Sequence, residues 1–393
     1  MGNTKMKITK ENIIGLILFA LAILAKGIGD SIFVTNNPNS PFNYVKYIIL
    51  LVFIFYFILK SKGKPKNVFK EEYKSLIICY IGIGIISLFA SLFAYKFTFR
   101  TIKEFIFILT PIFFSYCALN YFKKEEITAI AKFAVLVYII SYFIEIGSSF
   151  SISTAIKAIT HFSLLGGQDS FLYDSLESSA FPDAMMALFV YFAYFNKNNK
   201  KWLWISFIGI LLMNKRLIIV FAILIMILIH VPFLKDFIKK QTPPKKLYIV
   251  LFIIFMFSPL LVIQLTKPSV ESWVLNKFDF NMPDFWMGRD SMVQYFLANN
   301  FVSYGLGSTY DFRNHLLEIE SIKFLFETSI VGCAILSFTY WKIVKKNWYL
   351  IIVMLYIFLN INTSTSIITG AFAWIYYLIL IGMVNKNGKE ESC

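Results

Sequence analysis

Runs of largely apolar residues recur along this chain, as in "IIGLILFALAILA" (13–25) and "LIIVFAILIMILI" (217–229), and they constrain its fold more than any other feature. A helix needs about 20 such residues to cross a hydrocarbon layer roughly 30 Å thick. Twelve segments read as spans: 13–29, 44–59, 75–95, 105–122, 127–146, 180–195, 202–213, 217–233, 247–266, 321–341, 348–361 and 371–384. Lipid offers the backbone no hydrogen-bond partners, so these spans are expected to be helical. The expected fold class is an all-α polytopic integral membrane protein with about 12 transmembrane helices and one transmembrane domain over residues 1–393. With 58% hydrophobic and 16% charged residues and a mean hydropathy of +0.67, the composition excludes an ordinary soluble domain.

Lysine placement predicts the orientation. With the N-terminus inside, the inner segments hold the clusters Lys5–Lys10, Lys60–Lys74, Lys123–Lys124, Lys197–Lys201, Lys235–Lys246, Lys342–Lys346 and Lys386–Lys389. The outer side holds fewer cations on longer loops, a positive-inside bias that puts both termini in the cytoplasm. Contact of these lysines with an anionic inner leaflet accounts for the net charge of +15 without nucleic acid. All four arginines, Arg100, Arg216, Arg289 and Arg313, fall on the outer side. The basic, then apolar start resembles a signal peptide. Lys26 and Asp30 follow it with no convincing cleavage site, so it reads as an uncleaved first span.

Cys79, Cys117 and Cys333 lie in predicted spans and Cys393 ends the chain, which gives no disulfide framework. His161, His230 and His315 are scattered, and neither a metal-ligand spacing nor a nucleotide-binding glycine loop is present. Function is therefore sought in the two long outer loops, 147–179 and 267–320. The stretch "LLGGQDSFLYDSLESSAFPD" (164–183) carries Asp169, Asp174, Glu177 and Asp183, either a solvated surface or an acidic, sugar-facing one. The later loop is too aromatic for disorder. Within it, 289–299 reads as a short amphipathic helix at the membrane interface.

Lys215 and Arg216 form a tight basic turn between two spans. Alone, such a pair reads as a snorkelling anchor. Together with Arg289, Arg313 and His315 it suggests cations converging on one anionic group. Arginine's planar fork pairs bidentately with phosphate oxygens, so a phosphate-bearing lipid fits. Lys26, Lys132, Glu145, Asp183, Lys323 and Glu327 fall within spans, mostly near predicted ends where snorkelling would lower their cost. That pattern argues against a flippase or other secondary transporter, which would carry its site at mid-span.

Three stretches carry a resemblance. "GRDSMVQYFLANNFVSYGLGS" (288–308) is similar to the region of bacterial O-antigen polymerases and O-antigen ligases where Gly-Arg precedes an aromatic-rich helix and a Gly-x-Gly turn. "MNKRLIIVFAILI" (213–225) resembles that superfamily's arginine-opened helix, and "NHLLEIESIKFLFETSIVG" (314–332) its polar lead into a glycine-punctuated span. Only these stretches match in sequence, while the topology matches throughout.

The resemblance implies a GT-C-like, metal-independent and cofactor-free glycosyltransferase in the bacterial inner membrane, with a large late periplasmic loop. Its donor and acceptor would be undecaprenyl-diphosphate-linked oligosaccharides, with a chain-length regulator as a candidate partner. Arg216 and Arg289 match the arginines thought to hold the donor pyrophosphate, with Lys215 and Arg313 beside them. Fixed guanidinium groups would stabilise the departing diphosphate, and a general base would assist the attacking hydroxyl. His315 resembles the family's histidine but lies about one turn further from Gly332, with Glu318 nearer that register. Ser329 stands where a first glycine is usual, so His315, Glu318 and Glu320 all remain candidates. A polymerase is favoured over a ligase because the aromatic and acidic first loop suits a second glycan chain. A membrane scaffold without activity has no positive support.

Overall fold

The computed structural model describes residues 12–34, 40–61, 70–147, 151–160, 177–178, 181–195, 199–234, 242–344, 347–364, 370 and 372–390. Among these, all regular structure is helical. Helix α1 (Ile13–Gly29) runs on through a π-helical turn (Asp30–Val34) and is followed by α2 (Phe42–Lys60), α3 (Lys70–Phe93), α4 (Phe99–Tyr121) and α5 (Lys124–Ile146). Next come the short α6 (Ile152–Thr160), α7 (Pro182–Val190) with a π-helical continuation (Tyr191–Phe195), α8 (Lys200–Leu212), α9 (Arg216–His230) and α10 (Lys245–Leu265). The late loop folds as α11 (Pro268–Phe278), α12 (Met282–Trp286), α13 (Arg289–Ala298) and α14 (Ser308–Arg313). The chain closes with α15 (Glu320–Val344), α16 (Trp348–Ile361) and α17 (Ala373–Glu390).

Seven of these helices, α1 to α5, α10 and α15, are long and apolar enough to cross a membrane. Arg216–His230, Trp348–Ile361 and Ala373–Gly382 are shorter apolar helices. The remaining two predicted spans correspond to α7 with its π-helical continuation and to α8, the latter 13 residues long.

The interior is apolar, as in a soluble protein, but the exterior is apolar too and several charges lie inside. Phe55, Phe89, Leu92, Ile254 and Leu261 are exposed on the outside of the bundle, while Lys26, Glu104, Asp183 and Lys323 are buried within it. An apolar exterior suits lipid, where no aqueous hydration of polar groups is available. Aromatic packing fills the centre: Phe19 of α1 meets Phe114 of α4 and Trp374 of α17, each at 4.8 Å between ring centroids.

Contacts between helix ends define two poles. At one pole the amide of Asn12 donates to Glu126 (3.0 Å), whose carboxylate also accepts the Lys123 backbone N–H, while Lys60 bonds the Tyr121 hydroxyl. The start of α16 is closed by Asn347, whose side-chain oxygen accepts from Tyr349 N at 2.8 Å, as an N-cap does. The opposite pole gathers the end of α1, the starts of α2, α4, α7, α9 and α15 and the end of α16, through bonds among Asp30, Lys46, Glu104, Asp183, Lys215, Lys323 and Asn360. The late loop sits there, since Ser87 and Ser91 of α3 bond Leu306 N (2.7 Å) and Tyr304 O (2.6 Å).

Helix α15 breaks in its interior. Ser329 has φ 62° and ψ −178°, a conformation essentially confined to glycine. The backbone there has a glycine geometry while the residue carries a Cβ. Ser329→Gly is expected to stabilise the purified protein by about 1 kcal/mol, because relief of strain outweighs glycine's greater unfolded-state freedom. Ser329→Val is expected to destabilise it. Thermal unfolding in detergent measures both, and a lower midpoint for the glycine variant would contradict this account.

Candidate functional site at the loop pole

The late loop carries its own small core. Met282, Trp286, Val293, Phe296, Leu317 and Ile319 are buried against Val262, Ile263 and Ile322 of the flanking spans. Val293 and Phe296 thus anchor α13, while Tyr295 and Leu297 of the same helix remain exposed. Gln294 adds a bond to Thr266 at 3.1 Å. Gly288, at φ 84°, lets the chain turn into α13 and places Arg289 as its first residue. There Arg289 Nε donates to Glu318 Oε2 at 2.9 Å, with both side chains partly accessible.

The basic turn at 215–216 reaches the same region by another route. Lys215 Nζ pairs with Asp183 Oδ2 at 3.0 Å and donates to the Ser364 hydroxyl at 3.0 Å. The carbonyl of Ser364 accepts the Glu320 backbone N–H at 3.2 Å. Two residues back along the chain, Glu318 holds Arg289. A continuous path of contacts therefore joins the segments 215–216, 289 and 318–320, which are far apart in sequence.

Asp183 is the hub of that path. Its Oδ1 accepts from Tyr356 and Asn360, both at 2.6 Å, and its backbone carbonyl accepts from Tyr376 at 2.8 Å. Asp183 thus ties α7 to the start of α9 and to α16 through its carboxylate, and to α17 through its backbone carbonyl. Its place in the first turn of α7, after Pro182, also suits the positive end of a helix dipole. Lys215 is correspondingly committed to a buried partner and is not a snorkelling anchor.

The candidate residues differ in setting. Arg216 opens α9 and is half-buried. Glu320 is buried at the start of α15, whereas Glu318 is half-buried and His315 is exposed. Among the described residues His315 makes no hydrogen bond. Arg313 ends α14 with its guanidinium 5.4 Å from the Tyr295 ring centroid. In α11, burial and the Asp290 carboxylate raise the pKa of Glu271 from its ordinary value. His161, Asp169 and Asp174 lie outside the described residues, as does most of the loop 147–179.

The charges within spans depart from the sequence expectation. Lys26 and Lys46 share the buried Asp30 at 2.6 and 2.7 Å. Lys323 pairs with Glu104 at 3.0 Å, and Glu145 accepts from Ser178 at 2.6 Å. Lys132 faces the Trp202 ring at 5.9 Å. Lys26, Asp183, Lys323 and Glu327 are all buried, so they are met inside the bundle and do not reach out to the interface. Pairing offsets the desolvation of Lys26, Asp183 and Lys323, whereas Glu327 is held by Thr309 through Oε1 and its Oε2 has no hydrogen-bond partner among the described residues.

Sequence reasoning missed the groups that seat the Gly-x-Gly turn. Gly305 and Gly307 have φ 99° and 86°. A Cβ at Gly305 would lie 2.2 Å from Ser87 Oγ and 2.6 Å from the Ser87 carbonyl oxygen. Glu327 of α15 accepts from Thr309 N (3.2 Å) and Thr309 Oγ1 (2.6 Å), pinning the start of α14 to the span. Arg100 of α4 stacks on Tyr310, 3.3 Å from the ring centroid. The available signals were a glutamate inside a predicted span and an arginine at the start of another, but neither indicates which loop it meets.

Chemically, the pole combines accessible guanidinium groups with carboxylates suited to proton transfer and an adjoining exposed imidazole. Among the described residues no three His, Cys, Asp or Glu side chains converge as a metal's ligands would. Comparison with protein families, with curated proteins and with solved structures found no match.

Two outcomes follow. Asp183→Leu should strand the Lys215 ammonium and cost about 3–5 kcal/mol, while Asp183→Leu with Lys215→Met should recover part of that loss, both read as folded yield and thermal midpoint in detergent. Gly305→Ala should expose the 303–313 segment to protease without unfolding the bundle; unchanged protection would contradict the close docking on Ser87.

Proposed function

We propose that this protein is a glycosyltransferase of the O-antigen polymerase kind, joining lipid-linked oligosaccharide repeat units at the outer face of a bacterial inner membrane. The observation that carries the reading is the path of contacts Arg289 to Glu318, and Glu320 through Ser364 to Lys215, beside Arg216. It draws together all three stretches on which the resemblance rests. In this reading Arg216 and Arg289 hold the donor pyrophosphate and stabilise its departure. Glu318, Glu320 or His315 takes the proton from the attacking sugar hydroxyl. The chain crosses the membrane twelve times in a GT-C-like arrangement, with both termini cytoplasmic. The substrate's lipid chains would lie against the apolar exterior, with their diphosphates at the loop pole.

The ligase alternative shares the donor chemistry and differs in its acceptor, lipid A-core. A transporter is favoured by a different observation, the buried pairs Lys26–Asp30–Lys46 and Glu104–Lys323 together with the break in α15 at Ser329. Ionisable groups between spans and interrupted helices are features that carriers share.

Surface glycan length in a deletion strain, complemented at matched membrane expression, separates these readings. Wild type should restore a ladder of repeat units, and Arg289→Ala should leave core with a single unit, a loss of at least about 100-fold in polymer if the arginine supplies 2.7 kcal/mol or more to the transition state. Core without any unit, with long lipid-linked glycan accumulating, identifies a ligase. Loss of outward movement of an otherwise unchanged lipid-linked unit identifies a transporter. An intact ladder in the deletion strain overturns the glycan-assembly reading altogether.

A further inference from the structure

We propose that a groove between α3, α10 and α15, at the pole away from the late loop, seats one anionic phospholipid. This inference does not depend on the glycosyl-transfer reading. The groove has a volume of about 390 Å3, within the roughly 300–1,000 Å3 of small-ligand pockets. Ala334, Phe338 and Lys342 of α15 form its floor, with Ile78 and Cys79 of α3 on one wall and Phe252 of α10 on the other. The floor residues recur every fourth position, so they make one stripe of the helix, narrow at Ala334 and charged at Lys342. Ile78 and Phe338 are each 59% exposed, which opens the groove towards lipid. All three helices meet the late loop at their other ends, through Ser87 and Ser91 of α3, Thr266 just past α10 and Glu327 of α15.

Charge is what selects the occupant. Lys342 belongs to the groove lining and is exposed. Lys74 stands one turn before Ile78 and Lys245 two turns before Phe252, so each wall helix carries an exposed lysine in register with its groove face. Among the described residues none of these three lysines forms an ion pair, in contrast to Lys46, Lys215 and Lys323 at the loop pole. With Lys246 beside Lys245, the cations outnumber Glu71 and Glu72, the acids at the start of α3. An apolar trough with ammonium groups at one end fits an amphipathic anion: an acyl chain lies along Ala334 and Phe338, and the phosphate meets the lysines. Basic pockets between spans on the lysine-rich side of a membrane hold phospholipid headgroups in this way. General attraction of lysines to an anionic leaflet needs no cavity, whereas this seat depends on the small side chain at Ala334.

The purified full-length protein in detergent is titrated with dioleoyl phosphatidylglycerol or dioleoyl phosphatidylcholine, and native mass spectrometry counts the lipids retained. The first phosphatidylglycerol should bind at least about tenfold more tightly than the first phosphatidylcholine. Lys74→Gln/Lys245→Gln/Lys342→Gln and, separately, Ala334→Trp should each weaken that first binding at least about fivefold, while Lys200→Gln/Lys201→Gln, at exposed lysines of α8, should leave it within about twofold. Equal affinity for the two lipids, or unchanged binding in either groove variant, overturns the site. An equal loss in the α8 variant marks general attraction to anionic lipid and overturns it too. So does a dimer whose doubled mass disappears on Ala334→Trp, because a second copy then fills the groove. The ligand-free thermal midpoint certifies the fold; the lysine variant changes only exposed side chains, so with the α8 control it decides the matter even where Ala334→Trp unfolds the protein.

Discussion

A charge buried between membrane helices must be met by an opposite charge from a neighbouring element, and the loop pole is organised around that demand. Leaving one such charge unpaired costs several kcal/mol, enough to bias the packing of whole helices. Lys215 with Asp183 binds α9 to α7, and the same carboxylate collects Tyr356 and Asn360 from α16. Lys323 with Glu104 binds α15 to α4, and Lys46 with Asp30 binds α2 to the end of α1. Apolar contacts such as Phe19 with Phe114 and Trp374 fill the centre but are less selective about partner and register.

The late loop depends on the same pole. It is held by a glutamate projecting from a span, by two α3 serines and by an arginine stacked on Tyr310. Glycine at 305 and 307 allows the turn to come close enough for these bonds to form. The break at Ser329 lies two residues beyond Glu327, so the span that anchors the loop is also the one whose helix is interrupted. The loop's anchor and the break in α15 therefore lie within one helical turn of each other. Any chemistry at Arg289, Glu318 or His315 takes place on a platform whose position these contacts set.

Much of the architecture was legible in the sequence because long apolar runs admit few conformations in lipid. Helices at 13–29, 348–361 and in the 289–299 region follow from composition and local pattern. The long loop 267–320 and its arginines were also visible. Side-chain partners were not: Lys26 and Lys323 look like boundary residues until Asp30, Lys46 and Glu104 are seen around them. Asp183 reads from sequence both as the end of an acidic stretch and as a charge near a span's end, and neither reading shows that it is a buried hub. Arg100 was counted among outer cations, but nothing local to it predicts Tyr310 as its neighbour.

By itself the sequence determined that this chain is helical and membrane-embedded, because backbone hydrogen bonding and apolar length are properties of each segment alone. It also determined which residue types, arginine above all, are available to meet an anion on one side. The tertiary structure decided which of those cations are already neutralised, since pairing depends on contacts between segments separated by up to 219 residues, as in Lys323 and Glu104. Lys215 and Arg289 hydrogen-bond carboxylates, Arg100 has Glu104 at 3.7 Å, and Arg313 faces the Tyr295 ring. That distinction follows from Coulomb attraction and desolvation acting at a few ångströms, a scale on which sequence distance carries no information.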